Sequence, residues 1–594
     1  MSLLRKKRIF YLLLSFAVVL GLFVLRIAWI QTASAFKAVT VGGKTINELA
    51  VRQREESIEL DPGRGHFFDR NGKQLTGHLA WTPILFPVKD TPESGKLVLL
   101  ADLLGTTVPE LQQTWSGLER SYVWPKPGGE KGEPLKLSET EARELPRLEG
   151  LEVLPYVARY GPGERGNQWL GYVAQRPDVI RKLREKKHHP DLSLTLQVGA
   201  SGLEKTFDGL LRGLGGVRAA YTVDSRKEPL GGLGTRVNAA ASRYYPLQIK
   251  TTVDDNLQQE IERLATGMKV AEGAVVVLDA KSGDIVSMVS LPFYDPHHVD
   301  PSKANWSNKA VKAAVPGSIF KTVIAAAALE ERLTFPGETF HCSGHYGKYG
   351  LACWKEGGHG HLTLEEGFAK SCNVVFATLG ERLSATAIAG TASKLGLSRS
   401  IGWQANRFMG GEDLRQLDQE EAGAVFSDMA KADGGVRAQT AIGQRDVLVS
   451  PLQAANLVVT LLHRGQVTAP RLVSEVRFKD GSLMAEMPVH TAPSPLGQIS
   501  PQTAERLLTW MRRVVTDGTG RSLQQAKWPL AGKSGTAEVV KQDRHFNDQW
   551  FIGYGPVDHP QYAVAVLVQN RPPGSAHQAT ELFRRTMDLL ASRG

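Results

Sequence analysis

Three short groups of residues in the C-terminal half of the chain could do chemistry together. Pro316-Gly317-Ser318-Ile319-Phe320-Lys321 runs into an Ala-rich stretch, Thr322 to Glu331, that reads as a helix. Ser318 is then expected in the first turn, where free backbone N–H groups and the positive end of the helix dipole can receive a developing oxyanion. Lys321 follows three residues on and rises on the same face. A partly buried lysine with a lowered pKa can take the proton that makes a hydroxyl nucleophilic. Alone the pair is weak evidence, because a chain of this length contains about one Ser-x-x-Lys by chance.

Two further groups add to it. Ser371-Cys372-Asn373 follows a helical stretch, Leu364 to Lys370, and offers a hydroxyl that can relay a proton and an amide that can orient a substrate amide. Lys533-Ser534-Gly535-Thr536 precedes Ala537 to Val540, which read as a strand. There a cation and two hydroxyls would face a carboxylate, and Gly535 lets a substrate backbone come close. Lys281-Ser282-Gly283 has the same first three letters, but it lies ahead of Ser318 in a hairpin turn and is assigned to structure.

All the cysteines of the chain, Cys342, Cys353 and Cys372, fall in one segment together with His359. Three readings stay open. A Cys342–Cys353 disulfide suits an oxidising compartment and leaves Cys372 unpaired; all three thiols can be reduced; or Cys342, Cys353, His359 and Cys372 hold a structural zinc ion. In the last case metal loss would disturb Asn373.

The elements that must position these groups can be read around them. Ile249 to Val253 alternates like a strand and Leu257 to Ala265 has helical spacing. Gly273 to Asp279 and Ile285 to Leu291 form a β-hairpin, Trp550 to Tyr554 and Tyr562 to Val568 supply two more strands, and Ala579 to Leu590 is an amphipathic helix. Strands at both ends with Ala-rich helices between them predict one large α/β unit over 249–592, whose sheet joins distant parts of the chain. Upstream, 38–245 is irregular and has no cluster of nucleophile and base. Arg64-Gly65 to Asn71-Gly72 reads as a short structural strand and turn. Gly202-Leu203-Glu204 opens a helix ending near Gly213, and Gly213 to Gly234 suggests hairpins. No repeat of fixed period is apparent.

At the start, Arg5, Lys6, Lys7 and Arg8 precede a largely apolar stretch from Ile9 to Ile30 whose one charge is Arg26. As a helix it extends roughly 33 Å, enough to cross a hydrocarbon core of about 30 Å. The basic cluster places residues 1–8 in the cytoplasm and the rest of the chain outside it. A cleaved signal peptide is the competing reading, with Ala33-Ser34-Ala35 as the small-residue site. The chain has 594 residues, 42% of them hydrophobic and 22% charged, which excludes a disordered or fibrous protein. The net charge of +10 is scattered without a basic stripe, so nucleic acid is not an expected partner.

In this order the three groups resemble the motifs of the penicillin-binding proteins, and the chain is similar to class B members of that family, the peptidoglycan D,D-transpeptidases. The resemblance extends over Arg64-Gly65 to Asn71-Gly72, Gly202-Leu203-Glu204, the Gly273 to Pro292 hairpin, Ala441-Ile442-Gly443-Gln444, Pro451-Leu452-Gln453 and Trp550-Phe551-Ile552-Gly553-Tyr554. It implies a single N-terminal transmembrane helix over 9–30, a mixed α+β pedestal domain over 38–245 of the dimerisation type, and a transpeptidase domain over 249–592. That domain is expected to have a central antiparallel sheet flanked by helices, as in serine β-lactamases.

By the same resemblance Ser318 is the acylated nucleophile, Lys321 its base, Ser371 the proton donor to the leaving D-alanine, and Asn373 a holder of the donor peptide. Lys533, Ser534, Gly535 and Thr536 receive the terminal carboxylate, and the N–H groups of Ser318 and Thr536 form the oxyanion hole. No cofactor is implied for catalysis. The implied partners are peptidoglycan stem peptides, β-lactams, the plasma membrane and a glycosyltransferase; the acidic glycosyltransferase motif of class A members is not evident. The alternatives are a D,D-carboxypeptidase on the same donor, a β-lactamase, for which no deacylating glutamate is evident after Asn373, or a non-enzymatic penicillin sensor or wall scaffold.

Overall fold

The computed structural model describes residues 3–36, 54–90, 92–129, 133–145, 147–161, 165–185, 192–224, 230, 234–239, 242–335 and 337–593. The first part of the expected pedestal segment, 38–53, and residues 225–229 and 231–233 of the Gly213 to Gly234 stretch lie outside these residues; the described part supplies Val217–Thr222, which pairs antiparallel with Arg236–Ala239. Two compact units are formed, and neither is continuous in sequence. One takes Met1–Gly63, His78–Ala158 and Gly215–Ala241; the other takes Arg64–Gly77, Arg159–Leu214 and Ser242–Gly594. The segment 38–245 is thus shared between both.

In the first unit the N-terminal helix spans Leu3–Phe36. Within it Arg5–Trp29 is long and apolar enough to cross a membrane, and its most apolar part is not buried against the rest of the protein. Ala33-Ser34-Ala35 continues the same helix. The remainder of the unit is mixed α+β. Glu55–Asp61, Val217–Thr222 and Arg236–Ala239 make one antiparallel sheet, and Tyr122–Val123, His78–Leu85 and Leu151–Ala158 another. Against the second sheet pack Leu97, Leu100, Leu111 and Trp115 from the helices Ser94–Leu103 and Val108–Ser116.

The second unit is built on a five-stranded sheet. Among its elements are, in chain order, helix α1 (Asp255–Gly267), the hairpin β1 (Gly273–Asp279) and β2 (Ile285–Leu291), helices α2 (Lys321–Glu330), α3 (Leu364–Ala369), α4 (Asn373–Arg382), α5 (Pro451–Leu462) and α6 (Pro501–Thr516), strands β3 (Ala531–Lys541), β4 (Arg544–Gly555) and β5 (Tyr562–Arg571), and helix α7 (Gln578–Ala591). The strand order is β2-β1-β5-β4-β3, antiparallel throughout. The near-continuous apolar run in β1 has a direct cause: both faces of the sheet are covered. Val275 and Val277 join Leu257, Ile261, Leu582 and Phe583 of α1 and α7 on one face, while Ala274, Val276 and Leu278 join Leu457 and Val458 of α5 on the other. At about 1.5–3 kcal/mol for each large apolar side chain removed from water, this double burial fixes the register of the sheet that carries β3.

The upstream pieces of this unit are structural, as expected. His66–Phe68 pairs in parallel with Gln248–Thr251, which in turn pairs with Val473–Arg477. Beside them Glu204, fully buried, accepts from Arg64 Nε at 2.9 Å and Nη2 at 2.7 Å and from Arg159 Nε at 2.6 Å. Burial alone would raise the Glu204 carboxyl, but the two guanidinium groups outweigh it and hold its pKa below the usual range. The Lys281 turn is structural too. Asp279 Oδ1 accepts from the N–H groups of Lys281 and Ser282, and Arg471 Nε reaches Asp284 at 2.5 Å.

Candidate active site

Ser318 lies in a 3₁₀ turn, Gly317–Phe320, that leads into α2. The structure so refines the expectation of an α-helical first turn. Seven of the residues that follow Lys321 in α2 are alanines or β-branched residues and are buried with it, which small side chains allow on every side of a helix. The turn therefore stands on a helix that passes through the protein interior.

Backbone-to-backbone contacts hold that turn. Gly317 has φ +54° and its N–H donates to Gly443 O at 2.9 Å. A Cβ on Gly317 would lie 2.3 Å from Thr536 O, and one on Gly443, with φ +79°, only 1.8 Å from Gly317 O. The approach of three backbones, from the Ser318 turn, the Gly443 loop and β3, is possible only without side chains there. Trp550 Nε1 of β4 donates to Val315 O at 2.9 Å and anchors the chain just before the turn.

Lys321 is fully buried. Its Nζ donates to Ser371 O at 2.8 Å and Asn373 Oδ1 at 2.7 Å, lies 3.4 Å from Ser371 Oγ, and faces the Phe376 ring at 5.5 Å. Burial lowers its pKa to about 8. Lys533, also fully buried, donates to Ser371 Oγ and to Ser534 O, both at 2.9 Å, and faces the Phe368 ring at 5.8 Å. Burial, with the charge of Lys321, pushes its pKa well below the ordinary lysine range.

Ser371 reaches this position because α3 stops just before it. Ser371 takes φ +53°, and the N–H of Cys372 returns to Gly367 O at 2.8 Å, closing the helix end. Such a conformation costs a non-glycine residue about 1–3 kcal/mol and is sustained here by the lysines on its oxygens. Asn373 opens α4, and its Nδ2 donates to Ala352 O at 2.9 Å. On β3, Ser534 Oγ lies 2.6 Å from Thr519 Oγ1, Gly535 packs on Pro316 and Ile319, and Thr536 is exposed. All three motif groups thus meet in one place. Local spacing carries no signal for the seat at Gly443, for the Phe376 and Phe368 rings, or for His577, whose Nε2 lies 3.1 Å from Gly535 O.

Next to Asn373, the ligand atoms of Cys342, Cys353, His359 and Cys372 lie within 4.8 Å of one another. Nδ1 of His359 is 3.7 Å from Cys342 Sγ and 3.4 Å from Cys353 Sγ, and Cys353 Sγ is 3.9 Å from Cys372 Sγ. The three cysteines are free thiols in the structure.

The family description "Penicillin binding protein transpeptidase domain" matches residues 273–588, and "Penicillin-binding Protein dimerisation domain" matches 59–242. Among curated relatives, Stage V sporulation protein D of Bacillus subtilis is 28% identical over 96% of this chain and 82% of its own length. Peptidoglycan D,D-transpeptidase MrdA of Haemophilus influenzae is 26% identical over 91% of this chain and 86% of its own. Peptidoglycan D,D-transpeptidase PbpA of Mycobacterium tuberculosis is 28% identical over 72% and 87% respectively. Among solved structures, the Helicobacter pylori Penicillin-Binding Protein (PBP2) in complex with MreC shares the fold, with a TM-score of 0.61 at 20% identity over 91% of this chain and 99% of that one. A structure described as a peptidoglycan synthase complex aligns with a TM-score of 0.65 at 23% identity over 98% and 97%. The chain belongs to the penicillin-binding proteins, as a class B D,D-transpeptidase with a dimerisation domain ahead of its transpeptidase domain.

Proposed function

We propose that Ser318 is the nucleophile through which this D,D-transpeptidase opens a D-Ala-D-Ala bond and passes the acyl group to an amine of a neighbouring stem peptide. The observation that carries the reading is the meeting of Lys321 and Lys533 at Ser371 Oγ, with Asn373 Oδ1 on Lys321, beside a Ser318 turn pressed onto β3. With a pKa of about 8, Lys321 is neutral in a useful fraction of molecules near neutral pH. It takes the Ser318 proton as Oγ attacks the carbonyl carbon. The N–H groups of Ser318 and Thr536 receive the oxyanion. Because Lys533 donates to Ser371 Oγ, the Ser371 proton points elsewhere and can pass to the leaving D-alanine nitrogen as the C–N bond breaks, with Lys321 returning a proton to Ser371. Lys533, Ser534 and Thr536 bind the terminal carboxylate, and Asn373 the donor peptide. The acceptor amine then retraces these transfers. A β-lactam enters by the same attack.

The Cys/His cluster suits a structural zinc ion. Ligands at about 2.0–2.3 Å from a tetrahedral zinc stand about 3.4–3.8 Å apart; three of the pairs here are 3.4, 3.7 and 3.9 Å apart, and all four atoms lie within 4.8 Å. When bound, zinc supplies cross-linking and no catalytic step. Cys342, Cys353, His359 and Cys372 would hold it, tying the loop whose Ala352 carbonyl receives Asn373 to the centre of Ser371-Cys372-Asn373.

The boundaries that go with this function are a cytoplasmic tail over 1–8, a membrane anchor over 9–30, a pedestal drawn from 38–245 and a catalytic segment over 249–592, to whose compact unit 64–77 and 159–214 also belong. The basic Arg5 to Arg8 cluster supports a cytoplasmic N-terminus and an extracytoplasmic catalytic unit. A glycosyltransferase partner is in keeping with the synthase complex among the structural relatives. The test is labelled penicillin on the full chain: it attaches to Ser318, and Ser318→Ala loses both label and crosslinking while remaining folded. Stoichiometric labelling of Ser318→Ala overturns the assignment.

A further inference from the structure

Gly535 and Thr536 share one peptide unit. Its N–H, that of Thr536, is one of the two donors assigned above to the oxyanion; its carbonyl, that of Gly535, faces the imidazole of His577, with Nε2 at 3.1 Å. The tautomer follows from the other ring nitrogen. Nδ1 lies 3.3 Å from the Thr580 N–H, which can only donate, and 2.7 Å from the Thr580 hydroxyl, so Nδ1 accepts and the proton sits on Nε2. Burial holds the pKa of the ring below the usual imidazole range, so it stays neutral in this form.

The chain around His577 is fixed from both sides. Gln549, buried, lies opposite Thr536 in the β3–β4 register; its Oε1 accepts from Gln578 N at 2.7 Å and its Nε2 donates to Ala576 O at 3.1 Å. His577 is also the N-cap of α7, so helix and strand aim its ring at one carbonyl.

We infer that His577 is a positioning residue for acyl transfer: by donating to Gly535 O it orients and polarises the Gly535–Thr536 peptide, which strengthens the Thr536 N–H as a donor to the oxyanion. A hydrogen bond accepted by an amide carbonyl draws electron density from its own N–H, so the two bonds reinforce each other. The inference rests on the assignment of Ser318 and the oxyanion donors above.

Two substitutions in the full chain separate this role from helix capping. His577→Asn keeps an acceptor for the Thr580 N–H but cannot reach Gly535. His577→Gln carries an amide donor to about the position of Nε2 but weakens the cap. The measurements are the rate of acylation by labelled penicillin, the thermal midpoint, and the ester carbonyl band of the acyl-enzyme in isotope-edited infrared spectra. We expect His577→Asn to keep its midpoint, acylate about 2- to 10-fold more slowly and shift the band to higher wavenumber, as a weakened oxyanion hole requires. His577→Gln should recover rate and band with a lower midpoint. Unchanged rate and band in His577→Asn, or rates that follow the midpoints instead, overturn the inference. If wild type itself forms no adduct on Ser318, the nucleophile assignment falls, and this inference with it; if it does, the variants judge His577 alone.

Discussion

Lys321 and Lys533 converge on a single oxygen: their ammonium groups lie 3.4 and 2.9 Å from Ser371 Oγ. Two buried cations so placed hold their protons weakly, and the charge of Lys321 is one cause of the depression at Lys533. A substrate carboxylate arriving at Lys533 reverses the balance. It stabilises the charged form of Lys533, against which burial and the charge of Lys321 work in the free protein.

The first prediction is a pH profile. Acylation of the free protein by penicillin should rise with pH through about 8 and level off above it, because loss of the Lys321 proton creates the base. Lys321→Ala should remove the rise and slow acylation by about 100-fold or more. A rate that falls through this range would give the base role to another group.

Gly443→Ala tests the backbone seat of the nucleophile. The new Cβ would need space now held by Gly317 O, at a φ of +79°. We expect acylation to fall by at least about 10-fold and stability by about 1–3 kcal/mol, measured by labelling rate and urea midpoint. Gly481→Ala, where nothing lies within 4 Å of the added carbon although φ is +84°, is the control for strain alone.

Glu204→Ala should destabilise the second unit by about 3–5 kcal/mol, since it leaves Arg64 and Arg159 without their shared carboxylate in a buried site. The loss should appear in the urea midpoint. Methyl-for-carboxylate exchange at the exposed Glu505 should leave that midpoint in place.

Metal analysis with thiol counting decides the cysteine cluster. About one zinc per chain is expected, lost in Cys353→Ser together with part of the acylation rate, because Asn373 is held through Ala352 next door. Absent zinc with one reactive thiol means the Cys342–Cys353 disulfide; absent zinc with three means reduced thiols.

What the sequence made legible was what local spacing encodes. Ser318 with Lys321, the β1–β2 hairpin and the α7 helix each follow from a few neighbouring residues, and each formed within a residue or two of its expected limits. The Gly443 seat and the His577 contact join positions about a hundred or more residues from Ser318, and Phe376 and Phe368 meet the lysines only once α3 and α4 are packed. No periodicity announces such pairs. Equally hidden was the division of 38–245 between two units, because it depends on which distant strand His66–Phe68 joins.

That division sets a timetable. Phe67, Trp169, Leu203, Phe207 and Leu211 belong to the same buried cluster as Phe320 and Ile319, yet all of them leave the ribosome long before Ser318. Phe68 must wait for Lys250, its partner in the parallel pair, and Val476 joins that sheet later still. While it waits, a stretch with these apolar side chains is made ahead of the surface that will cover them, the interval in which unpaired strands are open to wrong partners. A catalytic fragment begun at residue 249 would escape the wait only by lacking these side chains altogether, so the enzyme's core can be completed only by a chain synthesised from well upstream of its chemistry.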